Sequence, residues 1–379
     1  MKKIWRFFRG LLAFVLVSLL AAEVFSAISV ETGMIPAPVP NYTVPSTKPF
    51  WADLNADFGV WHAPNTSDVH QSRCFRASYR TNAFGMRDPE RTLQSDKPRT
   101  LVLGDSFVEG FGLERGQRTT DLLEQRTGIE HLNYGTSGSF GTVQEMLLYK
   151  TLASNFDHDR VVWTVLPNND FDDNSPEFGR TAFADRYRPY AVSDGAGGYA
   201  IEYWQQDKLN AWGRSDKEMR KQRLRAFRHL LTNFSYAANV VRYMERLTSY
   251  RMAQDKPLAG AQASGQSGYW DYREDDLVRL FWSIEEGLKI AGSRPVDIVL
   301  IPVEGDLERL AREGAPAPLS QSFSAFAARH DQVRVLDLLP VFAGQQDAQR
   351  LYHDCDGHWS PEGAAFVADT LRPWLYPRP

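Results

Sequence analysis

The sequence predicts a doubly wound α/β sandwich, a parallel sheet with helices on both faces, preceded by an N-terminal membrane segment. Three observations predict it. Five short apolar runs, TLVLG (100–104), EHLNY (130–134), RVVWTVL (160–166), VDIVLIP (296–302) and VRVLDL (333–338), alternate with longer helical stretches. Most of these runs are continuously apolar, as strands buried on both faces are, and do not alternate apolar with polar. Small polar residues and glycines directly follow three of the runs, where open α/β sheets gather ligands and catalytic groups.

Taken in order, the chain begins with Lys2, Lys3, Arg6 and Arg9 ahead of GLLAFVLVSLLAA. The run from Gly10 to Ala22 has the length of a signal-peptide core. Extended to Val30 it reaches about 20 residues and spans a bilayer if Glu23 sits near one interface. The best small-x-small cleavage site, Val24-Phe25-Ser26, is poor, which favours an uncleaved anchor. The basic flank then stays cytoplasmic and the remainder is exported, on the periplasmic or extracytoplasmic side of the inner membrane. Residues 31–49, with prolines at 36, 38, 40, 45 and 49, read as an extended spacer. Residues 50–98 are turn-rich and read as an extension packed on the main domain.

From residue 99 to 379 strands and helices alternate, the helices being TTDLLEQRT, TVQEMLLYKTLA, LVRLFWSIEEGLKIA, LSQSFSAFAARH and PEGAAFVADTLRPWL. The last has Ser360 as N-cap and Pro361 at its first helical position. Residues 171–275 break the rhythm and read as an insertion. It holds RYRPY, IEYWQQ, a basic helical stretch from Lys217 to Arg228, and the low-complexity run LAGAQASGQSG. The stretch 217–228 reads as a solvated helix face. Tyr187, Tyr190, Tyr203, Trp204 and Trp212 could stack on sugar rings, although packing of the insertion is the commoner role for each.

Length, 379 residues, allows one large α/β domain with appendages. A net charge of −4 implies no basic face, so nucleic acid is not an expected partner. The only two cysteines are Cys74 and Cys355, which in an exported chain can pair or remain two buried thiols.

Four segments could carry chemistry. Gly104-Asp105-Ser106-Phe107-Val108-Glu109-Gly110 lacks the lysine of a phosphate loop, and Val108 stands where the Gly-x-Ser-x-Gly elbow needs glycine. It leaves a serine at a strand-to-helix turn. Asn133 to Gly141 is a glycine loop that offers unobstructed backbone N–H groups. Pro167-Asn168-Asn169-Asp170 offers a carboxamide at a strand end, or a plain Asx turn. His353 to Gly363 contains metal-ligand types, but zinc draws ligands from well-separated places and no second cluster exists. A histidine base beside a carboxylate is the better reading, so neither metal nor cofactor is expected.

Together, and in this order, the four segments resemble the SGNH (GDSL-type) hydrolase superfamily, whose sandwich is flavodoxin-like. Gly104-Asp105-Ser106 matches the nucleophile block, Gly138 the glycine block, Asn169-Asp170 the Asn-Asp block, and His358 the C-terminal block. The resemblance implies Ser106 as nucleophile, His358 as base, and an oxyanion hole from the Ser106 and Gly138 N–H groups and the Asn169 amide. One departure stands out: Cys355 occupies the position three before His358 where the family has Asp. Asp356 gives Asp-x-His instead, as in related enzymes that acetylate bacterial exopolysaccharides, with Asp354 the outside candidate for the third member. Arg87 lies in a segment, TNAFGMRD, that precedes the catalytic block in some members and is otherwise suited to a salt bridge.

The implied activity is that of a serine esterase or deacylase working through an acyl-enzyme. Its expected substrate is a small ester or an O-acylated extracytoplasmic carbohydrate. A polysaccharide O-acyltransferase would use the same triad, with a membrane partner as acyl donor. A carbohydrate-binding or assembly protein that keeps the fold is the non-catalytic alternative. If Cys355 pairs with Cys74, the disulfide would help fix the catalytic loop.

Overall fold

The computed structural model describes residues 2–40, 42, 50–72, 74–210, 224, 227–228, 230–253 and 267–377. Trp212, most of the 217–228 stretch and most of the LAGAQASGQSG run lie outside the described residues. The chain divides into two compact units, one of Met1–Lys48, Val69–Arg76 and Trp212–Leu258, the other of Pro49–Asp68, Ala77–Ala211 and Ala259–Pro379.

In the first unit, α1 runs from Lys2 to Glu31. Its Ile4–Glu31 portion, 28 residues of mean hydropathy 2.4, is long and apolar enough to cross a membrane. Every described side chain of α1 up to Ala22 is exposed, and packing against protein begins at Glu23. There the Glu23 carboxylate accepts hydrogen bonds from the Ser235 hydroxyl (2.7 Å) and the Tyr236 and Ala237 amides (2.7 and 3.1 Å). These groups open a helix from Tyr236 to Ala253, so Glu23 satisfies N–H groups that the helix itself leaves orphaned. Beyond it, Val30, Ala37 and Val39 form a small core with Tyr236, Val240 and Tyr243. The first residues of the proline-rich stretch are therefore packed, not a solvated spacer.

The second unit begins with short strands, β1 (Trp51–Asn55) and β2 (Gly59–His62), paired antiparallel. Next in the chain come β3 (Ser67–Gln71) and β4 (Arg76–Arg80), of which residues Val69–Arg76 belong to the first unit. The central sheet is built from β5 (Arg99–Gly104), β6 (Glu130–Gly135), β7 (Arg160–Val165), β10 (Val296–Leu300) and β11 (Val333–Asp337). All five are parallel in the order β11-β10-β7-β5-β6. The five apolar runs of the sequence are these five strands, and the predicted three-layer sandwich is the fold observed. An antiparallel hairpin, β8 (Arg188–Ser193) with β9 (Tyr199–Trp204), lies between β7 and β10 in the chain.

Side chains sort by the two-residue period of a strand. Leu101, Leu103, Val161, Trp163, Ile298 and Leu300 enter one buried core, and Val102, Val162, Val299 and Ile301 enter the other. One face is covered by the helices Thr142–Thr151 and Glu274–Ala291. The opposite face is covered by Thr119–Thr127 and Pro361–Leu375. Gly287 permits the close approach, since a Cβ there would meet the Trp163 ring at 2.1 Å. Ser360 caps the last helix through the Gly363 amide, with Pro361 at its first turn, as the sequence implies. Strand β5 lies between β6 and β7, so the chain leaves the sheet in opposite directions on either side of it. That switch point is where open α/β sheets form their clefts.

Candidate active site

Ser106 opens a one-turn helix, Ser106–Glu109, directly after β5. Asp105 caps it: its Oδ1 accepts the Phe107 amide at 2.9 Å, and its Oδ2 accepts the Asn169 amide at 3.1 Å. The Ser106 N–H is a first-turn donor with no acceptor inside the helix. At the other end the helix carbonyls are held by two side chains. Asn133 donates to the Val108 carbonyl at 2.7 Å, and Arg87 to those of Glu109 (2.9 Å) and Gly110 (2.5 Å). Arg87 is buried and stacks over Tyr79 at 3.5 Å, and so supports the Ser106 turn from behind. It makes no salt bridge among the described residues.

His358 reaches the serine from the last loop. Its Nε2 lies 2.8 Å from Ser106 Oγ, and its Nδ1 lies 3.3 Å from Asp356 Oδ1. The same Asp356 oxygen accepts the His358 amide at 3.0 Å. Burial pushes the Asp356 carboxyl up, but the hydrogen bonds from His358 and its charge outweigh that and leave it below the ordinary carboxylate value. The imidazole lies between two rings of the Ser106 segment, stacked on Phe111 (centroids 4.3 Å, 25°) and tilted against Phe107 (4.8 Å, 32°). Trp359 packs edge-on against Phe107 at 5.0 Å. The loop itself is tied by His353 N to His358 O (2.6 Å) and Gly357 N to His353 O (3.0 Å).

Gly138 and Ser139 follow β6 with left-handed backbones, φ +106° and +67°. A Cβ on Gly138 would meet Val60 at 3.0 Å. Two arginines next to and in β8 hold the carbonyls of this loop. Arg186 donates to Gly138 O at 2.7 Å while paired with Asp53 at 2.6 Å. Arg188 donates to Ser139 O at 2.5 Å and also to Gln144 and the Asp173 carbonyl. Asn169 comes from the helix Pro167–Asn174 after β7, with one amide hydrogen committed to Asp105 and the other uncommitted.

Sequence reasoning missed Glu109. It is fully buried, and its carboxylate accepts hydrogen bonds from Trp51 Nε1 (3.0 and 3.1 Å), His62 Nε2 (3.2 Å), the Ser137 amide (2.6 Å) and the Ser137 hydroxyl. Burial alone would raise this carboxyl, but His62, Arg87 and Ser137 outweigh it and hold it at about 2. The available signal was a glutamate between Val108 and Gly110, three residues after the serine, on a segment otherwise destined for burial.

Below the site lies a set of buried carboxyls. Burial, with Asp105 and Asp173 as neighbours, pushes Glu145 well above its ordinary value. Burial and Glu145 do the same to Asp170, and burial raises Asp173 to about 7. Asp170 is thus not a partner to His358; its Oδ2 accepts the Leu166 amide at 2.7 Å and shapes the turn that presents Asn169.

Of the remaining sequence candidates, Tyr187 and Tyr190 are buried and pack the hairpin. Tyr203 stacks on Tyr187 (5.9 Å, 12°) with one face exposed, and Trp204 carries Arg180 over its ring at 5.1 Å. Asp354 is exposed. Neither cysteine is a free thiol.

No family model and no curated protein matches the chain. Among solved structures it is similar to a member of the lipolytic G-D-S-L family from Veillonella parvula, at 12% identity over 73% of this chain and 97% of that one, TM-score 0.37. A lipase/acylhydrolase from Enterococcus faecalis matches at 12% identity over 74% and 99%, TM-score 0.36. A carbohydrate esterase family 2 enzyme with a carbohydrate-binding domain, from Corynascus thermopiles, matches at 11% identity over 76% and 68%, TM-score 0.34.

Proposed function

We infer that the chain is a serine esterase of SGNH type, which removes an acyl group from an ester through a covalent acyl-enzyme. One observation carries the reading: Ser106 Oγ, His358 and Asp356 form a continuous hydrogen-bonded relay at the carboxyl end of the parallel sheet. A serine hydroxyl is barely ionised at neutral pH and needs a base in contact to become a nucleophile.

Ser106 O–H donates to His358 Nε2, so the proton passes to the imidazole as Oγ attacks the acyl carbonyl. Asp356, accepting from Nδ1, fixes the tautomer and stabilises the imidazolium. The oxyanion is received by the Ser106 N–H, the Gly138 N–H and the second amide hydrogen of Asn169. The imidazolium then gives its proton to the departing alcohol oxygen. Water enters, His358 removes its proton, and collapse of the second tetrahedral species frees the acid and restores Ser106 O–H.

The long apolar α1 supports an exported, membrane-anchored enzyme, and its basic N-terminal flank supports a cytoplasmic start with the catalytic unit on the far side. The substrate assigned on that basis is an O-acyl ester of an extracytoplasmic carbohydrate.

The test is p-nitrophenyl acetate turnover by the full chain in detergent, beside Ser106→Ala and His358→Ala. Turnover lost in both variants with folding intact supports the serine mechanism. Turnover that survives Ser106→Ala overturns it. Repeating the assay with an oligosaccharide acceptor shows whether the acyl group is passed to water or to a sugar hydroxyl.

A further inference from the structure

The first unit carries a second apolar surface beside its long helix. Described residues 224, 227, 228 and 230–234 are helical. Leu224, Phe227, Leu231 and Phe234 are spaced by three, four and three residues, which sets them along one side of a helix, with Leu230 adjoining. All five are exposed, by 60, 59, 48, 46 and 38% in that order. The sequence from 217 to 234 holds Lys217, Arg220, Lys221, Arg223, Arg225 and Arg228 against a single acid, Glu218. A strongly basic sequence that carries large, exposed apolar side chains at helical spacing has the composition of a segment that lies in a membrane interface.

Its position relative to α1 supports the same occupant. The residues that follow Phe234 are those that Glu23 holds: the Ser235 hydroxyl and the Tyr236 and Ala237 amides. Counted from Trp5, with Arg6 and Arg9 reaching back to the cytoplasmic interface, α1 covers roughly 27 Å by Glu23. That is close to the hydrocarbon thickness of about 30 Å. The side chains of α1 are bare up to Ala22 and packed from Glu23 onward. Glu23 therefore marks the depth at which the chain emerges from the apolar layer, and the end of the helical run 230–234 is tied to that depth.

We propose that the exposed apolar side chains of Leu224, Phe227, Leu231 and Phe234 lie on an anionic phospholipid bilayer, on the face from which α1 emerges, sunk into the headgroup boundary. Burial of the apolar side chains supplies attachment, and the basic residues favour acidic headgroups over zwitterionic ones. The proposal rests on α1 being embedded in the membrane and is independent of the catalytic reading.

The test places a nitroxide at one site at a time, Leu231→Cys, Leu16→Cys or Leu93→Cys, in the full chain. The two native cysteines, not being free thiols, leave the introduced one as the site of labelling. Collision with oxygen and with a water-soluble nickel chelate is measured in vesicles of phosphatidylcholine, with and without phosphatidylglycerol. The expected result is an oxygen-to-nickel ratio at 231 several times that at the exposed loop site 93, rising when phosphatidylglycerol is present. A ratio at 231 equal to that at 93, with 16 reading apolar, overturns the proposal alone. Aqueous readings at both 231 and 16 overturn the embedded anchor and the proposal with it. Spin–spin broadening at 231 would assign the face to a second copy of the chain and overturn the lipid assignment. Equal ratios in the two lipid mixtures would overturn the preference for anionic lipid.

Discussion

Glu109 accepts hydrogen bonds from both the amide and the hydroxyl of Ser137, and so ties the one-turn helix that opens at Ser106 to the loop that carries Gly138. Two proposed oxyanion donors, on different strands' ends, are thereby held by one carboxylate. Because that carboxyl is held at about 2 in the fold, below its ordinary 4.5, it stabilises the fold fully above about pH 5. The contribution, roughly 3 kcal/mol, is lost as pH falls through 4.5 towards 2. Glu109→Gln should remove most of that acid-side slope in urea unfolding between pH 5 and 2. It should also cost about 3 kcal/mol at pH 7 by leaving His62 without its charged partner.

Asp356, not Asp354, is expected to serve His358. Asp356→Asn should lower kcat for p-nitrophenyl acetate by about 100-fold with KM little changed, because only the transition state carries the imidazolium. Asp354→Asn, at an exposed position, should stay within about twofold of the parent. Equal losses in the two variants would reassign the third member.

Arg186 is expected to act as a positioning residue through the Gly138 carbonyl. Arg186→Ala should reduce kcat by roughly 10-fold with a smaller change in KM, the pattern of a transition-state interaction loosened at one remove. Arg186→Lys should restore part of it, since an ammonium can reach one carbonyl but cannot also hold Asp53 in a forked pair. A rise in KM alone would place Arg186 in substrate binding instead.

Glu145 bears the opposite pH signature to Glu109. Its carboxyl is raised in the fold, so the native state keeps a proton that the unfolded chain gives up. Stability on its account is whole below the unfolded value and declines as pH rises towards the folded one. Glu145→Gln copies the protonated acid and can still accept from Trp163 Nε1, the bond seen at 2.5 Å. The variant should be more stable than the parent at pH 8 and equal to it near pH 4. Chemical denaturation at the two pH values measures this.

With neither cysteine free, the denatured, unreduced chain should take up no thiol reagent. Uptake of two equivalents would sink the Cys74–Cys355 pairing, one of the two states the sequence allows.

The sheet was legible because its strands are apolar runs of ordinary length, and because the polar turns after them sit at the same end of a parallel sheet. Ser106, His358 and Asp356 were singled out through the resemblance of their segments to a known family's blocks, and the structure brings the three within hydrogen-bond distance. The supports were not. Trp51 and His62 reach Glu109 across 58 and 47 residues from short strands with no clear period. Arg186 reaches Gly138 across 48 from a hairpin that reads as an insertion. Such contacts follow from where the chain returns in space, which neither periodicity nor spacing encodes. The basic stretch 217–228 was read as a solvated face because its charges dominate its composition. The apolar spacing that runs on to Phe234 becomes visible only once the helix and its exposure are known.

The rings that hold His358, Phe107 and Phe111, both belong to the nucleophile's own segment. The segment of Ser106 thus brings its own socket for the imidazole, and the C-terminal loop delivers His358 to it together with Asp356. In engineering terms the unit to transplant is the stretch from Gly104 to Gly112. The loop from His353 to His358 is adjustable only where His358 still reaches the socket with Asp356 against its Nδ1.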